Sequence, residues 1–216
     1  MVIFVSHARL NLSKLCLELP LWPGICSRSP DLEHANRRKA VATITKKVCL
    51  LGDFAVGKTS LVRRFVYSIF EDRYLATIGV RVSRKVLHLA DAKSNDETTL
   101  TLMLWDIAGS DVFTRMRASY LRGAGGALLV CDLTRPETLL NLREYLAVLR
   151  DLNMQIPLVL AANKCDLVDQ IRLSTAELAD FATPFSAPYY LTSAKDNIAV
   201  DAAFIHLGRL MLDWHT

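Results

Sequence analysis

The feature that most constrains this chain is the stretch Gly52-Asp53-Phe54-Ala55-Val56-Gly57-Lys58-Thr59. It fits G-x-x-x-x-G-K-[ST], a loop that cradles phosphates. Its flanks decide how it is read. Lys47-Val48-Cys49-Leu50-Leu51 reads as a short buried strand. From Ser60 to Phe70, Leu61, Val62, Phe65, Val66 and Ile69 recur on one helical face. The loop therefore sits where strand becomes helix. The N–H groups of a first helical turn have no internal partner and bear partial positive charge. Gly52 and Gly57 let the backbone curl around an anion. Lys58 is placed to reach the β- and γ-phosphates, and the Thr59 hydroxyl to ligate Mg²⁺.

The rest of the chain is ample for one globular domain. It has 216 residues, 51% of them hydrophobic. Three of the four net positive charges lie in residues 1–40. The body is close to neutral and makes no electrostatic case for nucleic acid. Cys16, Cys26, Cys49, Cys131 and Cys165 form no CxxC pair, which points to reduced thiols and a cytoplasmic setting. No apolar run is long enough to span a bilayer. Residues 1–40 read as a leader that is disordered or not made. His7, Arg9, Lys14 and Glu18 interrupt a signal-peptide core, and Pro20, Pro23 and Pro30 break any long helix. Val41 can be a GTG start codon, and Arg37-Arg38 can be encoded AGG-AGG, a ribosome-binding sequence. Translation is therefore expected to begin at Val41, which an intact mass decides.

Beyond the first helix, residues 70–79 read as an exposed loop. Val80 to Ala90 and Thr98 to Ile107 follow as two strands joined by a polar turn, hence an antiparallel pair. In the second, Leu100, Leu102 and Leu104 alternate with Thr99, Thr101 and Met103, so one face is buried. That strand ends in Asp106-Ile107-Ala108-Gly109, which suits a Mg²⁺-linked carboxylate and a glycine N–H facing a γ-phosphate. Then come a polar helical stretch (Asp111 to Arg122), a strand (Ala127 to Cys131) and a helix from Pro136 to Leu152 with Thr134 as its cap. A strand from Ile156 to Ala162 and a helix capped by Ser174 follow. The last elements are a strand from Tyr189 to Leu191 and an amphipathic helix with Val200, Phe204, Leu207, Leu210 and Met211. This alternation predicts an α/β fold: a mostly parallel six-stranded sheet, one strand antiparallel, with helices on both faces. Ligands bind such sheets at the C-terminal strand ends, where all the motifs lie.

Asn163-Lys164-Cys165-Asp166 and Thr192-Ser193-Ala194-Lys195 complete a pattern that resembles the Ras-like small GTPases. The Rab-like branch is nearest, on Tyr74-Leu75-Ala76-Thr77-Ile78-Gly79, Leu104-Trp105-Asp106 and Tyr120-Leu121-Arg122-Gly123-Ala124. The resemblance runs from Lys46 to Trp214 and implies a phosphate-loop G domain over residues 41–216. It implies a molecular switch that binds GTP or GDP with Mg²⁺ and hydrolyses GTP. The chemistry of the base agrees. Guanine presents N1–H and N2–H₂ side by side, and the Asp166 carboxylate has two oxygens to accept them, each bond worth about 1.5–3 kcal/mol. Adenine has an acceptor at N1, so ATP and an ATP-dependent kinase are disfavoured.

By resemblance, the nucleotide is held by Gly52, Asp53, Phe54, Ala55, Val56, Gly57, Lys58, Thr59 and Ser60, and by Phe70, Tyr74, Thr77, Asp106 and Gly109. Asn163, Lys164, Asp166, Ser193, Ala194 and Lys195 complete the set. Asn163 ties loops together, the Lys164 stem lies along the ring, the Ala194 N–H meets O6 and Phe70 covers the base. Mg²⁺ falls to Thr59, Thr77 and Asp106, and catalysis to Lys58, Thr77, Gly109 and Ser110. Thr77 is the switch residue, bound to Mg²⁺ only with GTP present. Effector, exchange and activating proteins are expected on residues 70–82 and 109–122 of a monomer.

The chain departs from the family in four places. Ser110 stands where a glutamine orients water, and it is too short to do so. Phe54 fills the third loop position and crowds the place of a partner's arginine finger, a device worth about 10³–10⁵ in rate. Slow hydrolysis is expected, or, as the alternative, a GTP-holding scaffold with negligible turnover. The end, Leu212-Asp213-Trp214-His215-Thr216, lacks the prenylated-cysteine pattern, as in a bacterial-type member without a lipid anchor. Val82 also replaces an aromatic that Rab effectors meet.

Overall fold

A computed structural model describes residues 42–70, 77–90, 97–109 and 114–214. Six strands form one sheet: β1 (Ala42–Leu51), β2 (Val80–Ala90), β3 (Glu97–Ile107), β4 (Gly126–Asp132), β5 (Leu158–Asn163) and β6 (Tyr189–Thr192). The helices are α1 (Lys58–Tyr67), α2 (Thr114–Leu121), α3 (Glu137–Leu140), α4 (Leu142–Asp151), α5 (Thr175–Ala182) and α6 (Val200–Asp213). The strand order is β2-β3-β1-β4-β5-β6. Only the β2–β3 pair is antiparallel, with Val82 opposite Trp105 and Val80 opposite Ile107. The predicted architecture therefore holds.

Period-two alternation explains why the central strands are apolar on both faces where they run between the helices. Val48, Leu50, Leu128, Val130, Val159 and Ala161 point to one core, packed with Phe65, Phe204 and Leu207 from α1 and α6. Their neighbours Cys49, Leu51, Leu129, Cys131 and Leu160 point to a second core, with Leu142, Tyr145 and Leu149 of α4 and Leu178 and Phe181 of α5. Both faces of a parallel sheet are covered, so neither alternate set can be polar. The Phe65 and Phe204 rings stack 4.2 Å apart and join α1 to α6.

The topology creates the crevice. From β1 the chain reaches β3 on one side, then crosses to β4 on the other. The loops after β1 and β4 thus diverge at the strands' C-terminal ends, the switch point where ligands bind such sheets.

Four local expectations are corrected. The helix expected from Pro136 to Leu152 is jogged at Asn141, whose side chain turns away to the phosphate loop. Thr134 does not cap it; its N–H and hydroxyl both donate to Asp132 Oδ1, a buried carboxylate and the stronger acceptor. Ile69 is exposed, because α1 ends at Tyr67 with Ser68 in the left-handed conformation. Thr101 is buried, at 6% exposure, although Leu100 and Leu102 face the other way. The Ser174 cap is present as a reciprocal capping box with Glu177. Residues 1–40, most of the 70–79 loop, and Tyr74 and Ser110 with it, lie outside the described residues.

Candidate functional site

The phosphate loop is held from outside by side chains distant in sequence. Tyr145 donates its hydroxyl to Gly52 O at 2.9 Å, Arg135 donates Nη2 to Phe54 O at 2.9 Å, and Asn163 donates Nδ2 to Val56 O at 2.9 Å. Asn141 Nδ2 donates to the Asp53 carboxylate at 2.7 Å. A trans peptide sets its N–H opposite its C=O. Carbonyls of Phe54 and Val56 pulled outward therefore turn the N–H groups of Ala55 and Gly57 inward, to a cleft both residues line. The buried Lys58 spans the loop, donating Nζ to Gly52 O at 2.7 Å and Asp53 O at 2.8 Å. Gly57 has φ +101°, and a Cβ there would lie 2.2 Å from Asn163 Nδ2. At Gly109 a Cβ would lie 2.4 Å from the Asp53 carbonyl carbon, so the β3 loop touches the phosphate loop only because it carries glycine there.

Three oxygen-bearing side chains meet beside Lys58. Thr59 donates its hydroxyl to Asp106 Oδ2 at 2.5 Å, and the Thr59 and Thr77 hydroxyls lie 2.7 Å apart. The Ala108 N–H donates to Gly79 O at 3.0 Å and ties β3 to the Thr77 segment. Asp106 is 1% exposed, and its Oδ1 is buried with no hydrogen-bond partner. Burial pushes its carboxyl above the usual range, outweighing the Thr59 hydrogen bond and the nearby Lys58 charge. A hard divalent cation fits this corner: one carboxylate with an unsatisfied oxygen, two hydroxyls, and room for phosphate oxygens. Among the described residues no cluster of three His, Cys, Asp or Glu could hold a metal. The corner is of the other kind, suited to Mg²⁺ bound together with a phosphorylated substrate.

The far end of the cleft is built by the loops after β5 and β6. Asn163 Oδ1 accepts from Thr192 Oγ1 and from the Ala194 N–H, each at 3.3 Å. Ser193 donates its hydroxyl to Asp166 Oδ1 at 2.6 Å, which fixes that carboxylate. Lys164, at φ +68°, donates Nζ to Asp132 Oδ2 at 2.6 Å. Asp132 is fully buried at the end of β4 and also accepts from Arg135 Nε at 3.0 Å. Burial raises its pKa, but the Lys164 hydrogen bond, those from Thr134 and the Lys164 charge outweigh it and hold the carboxyl below the usual range.

The cleft holds about 330 Å³. Of the residues singled out in the sequence, Phe54, Ala55, Gly57, Lys58, Thr59, Ser60, Phe70, Thr77, Gly109, Asn163, Lys164, Asp166, Ala194 and Lys195 line it. Gly52, Asp53, Val56, Asp106 and Ser193 stand behind that lining. Sequence reasoning missed Asp132, Arg135, Asn141 and Tyr145. Only Asp132 left a signal, an acid ending an apolar strand as Asp106 does. The others act from the loop before α3, from the junction of α3 and α4, and from α4.

A mostly parallel sheet with a phosphate loop after β1, an oxygen-lined corner and a cleft at the C-terminal strand ends defines a phosphate-loop nucleotide-binding domain. Residues 47–213 match the Ras family. Relatives include the Ras-related protein Rab-22A of Homo sapiens, 34% identical over 164 residues, 76% of this chain and 81% of that protein. Others are RABD1 of Arabidopsis thaliana, 35% identical over 163 residues (75% and 77%), and Rab-32 of Mus musculus, 37% identical over 178 residues (77% and 75%). The chain belongs to the Ras family, in its Rab-like part, and is by that membership a GTP-binding switch GTPase.

Proposed function

We propose that this chain binds GTP and GDP with Mg²⁺ in the cleft described above and hydrolyses GTP slowly. The observation that supports this best is the corner where the Thr59 and Thr77 hydroxyls meet Asp106 Oδ2, beside Lys58 of the phosphate loop, while Oδ1 of the same buried carboxylate has no hydrogen-bond partner. In this reading Thr59, Thr77 and Asp106 hold the cation, which when bound neutralises developing charge on the phosphates. Lys58 and the N–H groups of Ala55 and Gly57 bind the phosphates. Asp166 accepts the N1–H and N2–H₂ of guanine, and the Ala194 N–H donates to O6. Gly109 offers its N–H to the terminal phosphate, and Thr77 orders its loop when that phosphate is present.

Ser110 and Phe54 support the slow rate. Phe54 is 49% exposed at the third loop position. In single-turnover assays Ser110→Gln raises the rate of GTP hydrolysis on the order of tenfold or more in this reading. No gain in a variant that still binds GTP sinks it in favour of a GTP-holding scaffold. The nucleotide carried through purification separates the two: GDP accompanies turnover, and GTP accompanies a held state.

Partners of the switch are proposed on residues 70–82 and 109–122 of a monomeric G domain. Val82 is 44% exposed, and the Trp105 and Tyr120 rings stand 6.5 Å apart with Lys47 Nζ 3.8 Å over Trp105. No helix among the described residues is long and apolar enough to cross a membrane. Cys49, Cys131 and Cys165 are free thiols, in keeping with a reducing cytoplasm.

A further inference from the structure

We propose that Arg64 is a positioning residue for base selection, holding the Ala194 backbone so that its N–H meets the 6-oxygen of the purine. The inference rests on the guanine reading above. Arg64 lies in the last turn of α1, the helix whose first turn belongs to the phosphate loop. Its half-buried side chain reaches the loop after β6. Nε donates to Ala194 O at 2.8 Å, Nη2 to Lys195 O at 2.7 Å and Nη1 to Ser68 O at 3.2 Å. Its Cζ stands 6.0 Å from the centre of the Phe70 ring. One planar fork thus ties together the end of α1, the base loop and the aromatic beside it.

The peptide planes explain why this bears on the base. The N–H of Ala194 shares a peptide with the Ser193 carbonyl, which accepts from the Ile198 N–H at 3.0 Å. The next peptide holds the Ala194 carbonyl, which Arg64 grips. Ala194 is therefore clamped from both sides, and both of its backbone dihedrals are set. Its N–H makes only a long 3.3 Å bond to Asn163 Oδ1, one that a ligand oxygen can share. Asp166 is held by the Ser193 hydroxyl, on the side of Ala194 that Arg64 does not touch. The 6-oxygen and the N1–H and N2–H₂ donors, neighbours on one edge of guanine, are thus read by two groups with different side-chain partners. A lysine cannot replace the arginine, because a point charge cannot hold two successive carbonyls in one plane.

The test is displacement of ribose-labelled GDP from the full chain, with Mg²⁺, by three competitors. They are GDP, inosine diphosphate (no 2-amino group) and 6-thioguanosine diphosphate (sulfur for the 6-oxygen). Wild type prefers GDP to both analogues. In Arg64→Lys and Arg64→Gln the preference over the 6-thio analogue falls about tenfold, while the preference over inosine diphosphate stays within about twofold of wild type. Equal loss of both preferences, or an unchanged 6-thio preference in either variant, overturns the proposal. Arg64→Lys keeps the charge and aliphatic stem, so it reports even where Arg64→Gln does not fold. A wild type that does not distinguish GDP from inosine diphosphate overturns the guanine reading itself, and the role of Arg64 with it.

Discussion

Gly57→Ala puts the junction between the phosphate loop and the base loop under a defined load. Gly57 sits at φ +101°, where a side chain costs about 1–3 kcal/mol in the backbone alone. The added Cβ would lie 2.2 Å from Asn163 Nδ2 and must displace it. Asn163 is 2% exposed and Val56 is fully buried, so breaking their 2.9 Å bond leaves two buried polar groups unpaired, at about 1–3 kcal/mol. The total is about 2–6 kcal/mol, which in a domain of this size lowers the melting temperature by about 2–4 °C for each kcal/mol, or about 4–24 °C. Gly123→Ala is the control. It too has positive φ, +74°, but a Cβ there meets nothing within 4 Å. That variant carries the backbone cost alone, about 1 kcal/mol, or about 2–4 °C. Both are melted with excess GDP and Mg²⁺, and GDP release is timed in parallel. Gly57→Ala releases GDP faster than wild type, and Gly123→Ala does not. If the two variants melt within about 2 °C of each other, the steric coupling between the loops is refuted.

Two further outcomes are expected. The folded Asp132 carboxyl lies below the usual range, so the stability it contributes is present above the unfolded carboxylate value, about pH 4, and is lost as pH falls through the folded value. Urea midpoints of wild type and Asp132→Asn, compared at neutral pH and below about pH 4, are therefore expected to converge on the acid side; a constant difference contradicts the assignment. Phe204→Ala removes a ring that is 1% exposed and stacked on Phe65, and urea unfolding should show a loss of about 3–5 kcal/mol. A loss near 1 kcal/mol would mean that α6 does not brace α1 as described.

The sheet was legible because its signals are local. Val80 to Ala90 and Thr98 to Ile107 have the right length, Lys47 to Leu51 marks the second half of β1, and strands alternating with helices admit few arrangements. The misses arose where burial or a tertiary contact outweighed a local preference. Thr134 is a fair cap by sequence, but a buried Asp132 carboxylate takes both of its donors. Asn141 looks like an ordinary surface position in a helix, but its amide meets Asp53, 88 residues earlier. The lining of the cleft was readable because a phosphate loop and Asn163-Lys164-Cys165-Asp166 need particular residue types at fixed spacing. The residues that brace it were not, because bonds from Tyr145, Arg135 and Arg64 to backbone carbonyls demand no partner side chain and leave no trace in spacing.

The order of residues alone therefore determined the sheet, the two-sided core and most of the side chains that line the cleft, since each depends on neighbours a few positions apart. Only the folded chain decided how those groups are aimed. It turned loop carbonyls outward, brought Thr59, Thr77 and Asp106 into one corner, and set an arginine from the first helix against a loop 130 residues away. Aim depends on contacts across the sheet, and those exist only once the strand order has placed the loops side by side.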